Sequence, residues 1–167
     1  MTAEGNARKS AIPAHRQPKL VLYVFLGGVI GAAARAGLSL ALPTAPGGVP
    51  WAILIANLVG AFLLGVLLTA IGVHAVETRA RRELRLFAGT GVLGGFTTYS
   101  SLAEGTAELL RGDVWLGAAY ALGTLVLGLV VAVIGVRAVE WLATRRGWGG
   151  RGSGAGTGAE HAEGGSQ

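Results

Sequence analysis

The 167-residue sequence contains no cysteine, which excludes a disulfide framework and any thiolate metal site. It is poor in charge: 14% of its residues are Asp, Glu, Lys or Arg, against about 25% in soluble domains. Histidine is scarce, and His15, His74 and His161 fall in the parts that read as loops or tails. No Ser/His pair and no metal-ligand set lies within an apolar stretch, so a membrane enzyme is not expected. The uncharged stretches also lack carboxylates, Glu104 following directly on the third of them. A small four-helix exporter of organic cations would need a carboxylate in its first helix, where there is none.

What the chain has instead is long apolar runs. Uncharged residues extend from Leu20 to Ala34, Pro43 to Val76, Leu86 to Ala103 and Val114 to Val136. A bilayer core of roughly 30 Å takes about 20 apolar residues as a helix. Mean hydropathy is +0.55. The expected fold is an all-α integral membrane protein with four transmembrane helices, at about Leu20–Leu42, Trp51–Val73, Leu84–Leu110 and Val114–Leu142. Residues 1–19 read as a polar N-terminal segment, 20–142 as the membrane domain and 143–167 as a Gly-rich disordered tail. The first apolar run lacks a cleavage context and reads as a resident helix rather than a signal peptide. Pro43 to Pro50 reads as a turn-rich loop and His74 to Arg85 as a charged one.

The basic residues set the expected topology. Arg8, Lys9, Arg16 and Lys19 precede the first helix; Arg79, Arg81, Arg82 and Arg85 lie between the second and third; Arg137, Arg145, Arg146 and Arg151 lie at or after the end of the fourth. With four spans all of these fall on one side, opposed by Arg111 alone, with Arg35 near a helix end. The positive-inside rule then puts both termini in the cytoplasm of a multi-pass plasma-membrane protein. The net charge of +5 is accounted for by this bias, and no nucleic-acid partner is expected.

Small residues recur at four-residue spacing: Gly27/Gly31, Gly91/Gly95 and Thr124/Gly128/Ala132. They suit close helix packing in lipid. The run Gly94-Gly-Phe-Thr-Thr-Tyr-Ser-Ser101 is different, because paired glycines and β-branched threonines are poor helix formers in mid-span. The third helix is expected to break at Gly94-Gly95. Backbone freed there must be satisfied by protein, water or an ion, so the run reads as a buried polar site or as a simple kink. Around it stand the hydroxyls of Thr97, Thr98, Tyr99, Ser100 and Ser101. Asn57 in the second helix is either interhelical glue or a donor, and Tyr120 and Thr124 share one face of the fourth. A lining of N–H and O–H donors suits a small anion, where a cation pathway would more usually carry carboxylates. Arg35 could draw anions into a vestibule or snorkel to the headgroups. A non-transporting assembly protein would explain the glycines but not the break together with Asn57.

Four segments in order resemble the CrcB/Fluc family of fluoride channels over about residues 20 to 140. They are Gly27-Gly-Val-Ile-Gly-Ala-Ala-Ala-Arg35, Ala56-Asn-Leu-Val-Gly-Ala-Phe-Leu-Leu-Gly65, Gly91-Val-Leu-Gly-Gly-Phe-Thr-Thr-Tyr-Ser-Ser-Leu102, and Tyr120 followed by Thr124. The resemblance implies an antiparallel dimer with two narrow fluoride pores, exporting fluoride down its gradient to relieve toxicity. It implies that Asn57, Ser100 and Thr124 donate hydrogen bonds in a pore that also involves Tyr99, Leu102 and Tyr120, with Arg35 near the vestibule. It further implies a structural Na⁺ at the dimer interface, held by the backbone carbonyls of Gly94 and Thr97. Two positions depart from the family, which usually has phenylalanine where this chain has Tyr99 and Leu102. The one-sided charge disfavours insertion in both orientations, so a heterodimer with a second, oppositely oriented family member is expected.

Overall fold

The computed structural model describes residues 17–72 and 78–145, and every element among them is helical. The helices are α1 (Pro18–Ala41), α2 (Trp51–Gly72), α3 (Arg79–Leu84), a π-helical stretch π1 (Arg85–Leu93), α4 (Gly94–Phe96), α5 (Tyr99–Gly112) and α6 (Val114–Arg145). The expected N-terminal segment before Gln17, the tail after Arg145 and the stretch from Val73 to Glu77 lie outside the described residues. Among the described residues three helices, α1, α2 and α6, are long and apolar enough to cross a membrane unaided. The remaining crossing is made in pieces, by α3, π1, α4 and α5 in succession.

Local chemistry sets the helix ends. Pro18 opens α1, where its fixed φ suits the first turn and its missing N–H is not needed. Pro43 follows the end of α1 at Ala41 and cannot continue it. The expected loop from His74 to Arg85 ends early, since Thr78 caps α3 by accepting the Arg81 N–H at 3.3 Å and the arginines after it are good helix formers. At the other end of the molecule one residue turns the chain between helices. Asp113 donates its N–H to Leu109 O at 2.7 Å, closing α5, and its Oδ1 accepts from Trp115 N at 2.8 Å and Leu116 N at 3.1 Å, opening α6.

Packing follows the small residues. α1 lies along π1 and α4, and α2 lies along α6. The Gly27 position has Gly91 Cα 2.9 Å from where a Cβ would stand, and the Gly31 position meets Val92 O and Phe96 N. Gly65 on α2 faces Ala132 O, and Gly135 on α6 faces Phe62 O. Such close approaches substitute for a hydrophobic driving force, which lipid does not provide between helices. At one end Lys19 on α1 meets Glu83 on α3 at 2.9 Å, an ion pair that ties the two helices together. The outer faces carry Phe25, Val29, Ile30, Leu122, Val126 and Leu129, all exposed. An apolar coat of this kind is stable only against lipid or another apolar surface.

The break in the third crossing is not where the glycines suggest. Gly94 has helical dihedrals (φ −65, ψ −33) and belongs to α4, whereas Thr97 (φ −80, ψ 153) and Thr98 (φ −151, ψ 122) are extended. The expected break at Gly94-Gly95 is therefore corrected to Thr97-Thr98. Gly95 is helical because its task is packing: a Cβ there would press on Gly28 O and on Ala32 N, both of α1. β-Branched threonines, in contrast, favour extended backbone once an external group takes their hydrogen bonds.

Candidate functional site

The two extended residues stand opposite one face of α2. Asn57 makes a two-way pair with the main chain of Thr98: Oδ1 accepts the Thr98 N–H at 2.9 Å and Nδ2 donates to Thr98 O at 3.2 Å. A primary amide copies the donor and acceptor of a peptide group, so it replaces the strand or helix partner that Thr98 lacks. One donor hydrogen on Nδ2 remains for other use. One turn along α2, Gly60 leaves room for the methyl group of Thr97, which a Cβ at this position would strike.

The hydroxyls are arranged around the same turn. Thr97 N and Oγ1 both donate to Leu93 O at 2.9 Å, ending the helix before the break. Thr98 Oγ1 caps α5 by accepting Ser101 N at 3.2 Å, and lies 3.0 Å from Ser100 Oγ and 3.3 Å from Ser101 Oγ. A continued α-ladder would aim Thr98 N at Gly94 O and Ser101 N at Thr97 O. Both donors are engaged elsewhere, by Asn57 and by the Thr98 hydroxyl, so both carbonyls are released from the ladder. Arg35 reaches the same turn from α1, its Nε donating to Gly95 O at 3.4 Å.

Beside the break is a cavity of about 430 Å³ between α2, the third crossing and α6. Of the residues singled out by sequence, Asn57, Tyr99, Leu102 and Thr124 line it, together with Gly94 and Thr97. Ser100, Tyr120 and Arg35 do not. Ser100 is exposed beside Thr98. Tyr120 is 6% exposed in a cluster with Leu102 and Leu109, and its buried hydroxyl has no partner among the described residues. Leu102 is itself only 7% exposed and serves both cluster and cavity, while Tyr99 is 80% exposed at the cavity edge. The Thr124 hydroxyl donates to Tyr120 O at 2.6 Å, so as placed it offers the cavity an oxygen, and a turn about χ1 is needed to offer a hydrogen. Gly60 and Gly128 also line the cavity. Gly60 was not singled out by sequence, although it shares a helix face with Asn57 at i, i+3. Glu104 lies apart, with Glu108, in a second cavity of about 550 Å³ under the loop between α1 and α2.

The fit of Gly60 to Thr97 gives a direct test. Gly60→Ala should destabilise the protein by about 1–3 kcal/mol through overpacking. Adding Thr97→Ser, which deletes the opposing methyl, should recover most of that loss. Thermal unfolding of the single and double variants in detergent measures it, and an additive result would remove the contact from consideration.

These features define a class: a multi-pass α-helical membrane protein with a helix interrupted in mid-span beside a mostly apolar cavity that a few polar side chains, Asn57 and Thr124 among them, line. The chain matches the family model described as CrcB-like protein, Camphor Resistance (CrcB), over residues 22–136. It is 41% identical over 142 residues to fluoride-specific ion channel FluC 2 of Leifsonia xyli subsp. xyli, covering 84% of this chain and 97% of that protein. It is 44% identical over 133 residues to FluC 1 of Cutibacterium acnes, covering 78% and 92%. With a FluC of Thermus thermophilus it shares 43% over 118 residues, 70% and 91% of the two chains. The chain belongs to the CrcB family, and these relatives are ion channels by name rather than enzymes.

Proposed function

We propose that this chain is a subunit of a fluoride channel that lets fluoride leave the cytoplasm down its gradient and so relieves its toxicity. The observation that carries the reading is the Asn57–Thr98 pair at a break beside the cavity, in a chain whose relatives are named fluoride-specific ion channels. Fluoride sheds its water only if other donors replace it. Asn57 retains an N–H for that purpose, Tyr99 and Thr124 carry hydroxyls at the cavity, Ser100 stands beside Thr98, and Tyr120 packs behind Leu102. Leu102 contributes an apolar wall that excludes water. Arg35 supplies positive charge near the break, in the role of a vestibule residue.

The released carbonyls of Gly94 and Thr97 suit a sodium ion. They are neutral oxygen ligands for a hard cation, free of ladder partners, and they belong to one short turn. Bound there, the ion would neutralise converging carbonyl dipoles and fix the turn. Completing its shell calls for a second subunit. The same requirement comes from the exposed edge of the cavity, where Tyr99 and the Thr97 carbonyl stand at membrane depth. Lipid cannot satisfy such groups.

The reading is therefore an antiparallel dimer with Na⁺ at its interface. Because twelve of the fourteen basic residues fall on one side of a four-span topology, this subunit inserts with both termini in the cytoplasm of the plasma membrane, and its partner is a second family member of opposite orientation. Relatives numbered FluC 1 and FluC 2 are in keeping with this.

Fluoride efflux from liposomes, measured with a fluoride electrode, tests the function. Efflux is expected when this subunit and a partner are reconstituted together, with chloride far behind. Equal fluoride and chloride fluxes would overturn the selectivity, and full rescue of a fluoride-sensitive host by this gene alone would overturn the heterodimer.

A further inference from the structure

Thr97 and Thr98 are kept extended by groups that belong to another helix. On α2, Asn57 takes both main-chain groups of Thr98, and Gly60 admits the side chain of Thr97. The glycines next to the break stay helical. The Thr98 N–H is the donor a continued helix would give to Gly94 O, and Asn57 Oδ1 holds it at 2.9 Å instead. We infer that Asn57 is a positioning residue for the cation site: by clamping the main chain of Thr98 it keeps the Gly94 carbonyl open, and so links the pore lining to the ion that fixes the turn.

The physical argument is one of acceptors. A peptide N–H at membrane depth must have a partner. With the Asn57 amide gone, the ladder offers Gly94 O as the acceptor for Thr98, and pairing there removes a ligand from the cation. Aspartate at position 57 separates the two roles of the amide. Its carboxylate still accepts the Thr98 N–H, the bond that keeps that donor off Gly94 O, but it has no hydrogen to give an anion or to return to Thr98 O. This inference rests on the sodium reading above.

The experiment is the dependence of thermal unfolding on NaCl, against N-methylglucamine chloride at equal ionic strength, for the full-length chain reconstituted with its partner. Asn57→Ala should raise the Na⁺ concentration for half-maximal stabilisation by about 10- to 100-fold, the usual loss when a group that orients a metal ligand is removed. Asn57→Asp should leave that midpoint at or below the wild-type value while fluoride flux is lost. Hydrogen exchange supplies a second readout: the Thr98 amide, moved from Asn57 Oδ1 to Gly94 O, should change its exchange rate in Asn57→Ala, while amides of α6 keep theirs. A wild-type Na⁺ midpoint in Asn57→Ala would overturn the coupling and leave the sodium site standing. An unresponsive wild-type protein would overturn the sodium site and the coupling with it. If Asn57→Ala does not fold, the aspartate variant decides, since a raised midpoint there contradicts the clamp.

Discussion

With Asn57 replaced by alanine and sodium saturating, fluoride efflux from proteoliposomes should fall by about 100- to 1,000-fold, the loss seen when a donor aimed at an anion in a water-excluded site is removed. Saturating sodium separates this effect from the positioning role, because the cation site is then filled in both proteins. Two consequences add up at this residue. The cavity loses the free Nδ2 hydrogen, and Thr98 loses both of its side-chain partners, at 2.9 and 3.2 Å. Asn57→Asp should lose flux to a similar degree for a different reason, since a carboxylate repels the anion. Retention of more than a tenth of wild-type flux in the alanine variant would remove Asn57 from the conduction path.

The second large effect is expected at Gly31. A valine there would drive its side chain into Val92 O and to within reach of Phe96 N, which stands 2.8 Å from the position of a Cβ. Both are backbone atoms of the third crossing and cannot move aside as a flexible side chain can. Overpacking of this kind costs about 1–3 kcal/mol in adaptable cores, and a rigid backbone neighbour puts Gly31→Val at or above the upper end. The expected result is a lower unfolding temperature and loss of the monodisperse peak in size-exclusion chromatography. Gly28→Ala is the matched control. It lies on the same helix, but a Cβ there meets nothing within 4 Å, so its stability should stay at the wild-type level. Equal behaviour of the two variants would show that α1 does not depend on close approach to π1 and α4.

Much of the site was legible because it is written in unusual residues. Asn57 is a lone amide in an apolar helix, and a polar group in such a place needs a partner. The hydroxyl run after Phe96 announces an interruption, and Thr124 shares its helix face with Tyr120 and faces the cavity. Other points were not legible. The family resemblance gives Tyr120 a place in the pore, yet its side chain packs with Leu102 and Leu109 and does not itself line the cavity, because rotamer and helix rotation are decided by neighbours. Nothing in the sequence distinguishes the i+5 pattern of π1 from an ordinary helix.

By itself, then, the sequence determined that the chain crosses a membrane, roughly where its apolar helices run, and that a polar interruption lies between Gly94 and Ser101. Apolar length and hydrogen-bonding demand are properties of the residues themselves. The position of the break within that run was decided only by tertiary structure. Gly94-Gly95 have the lower helix propensity, but Gly95 is needed as helix for contact with Gly28, and α2 offers its amide and its gap at Asn57 and Gly60. A break forms where another helix can satisfy the freed peptide groups, and in this fold that place is Thr97-Thr98.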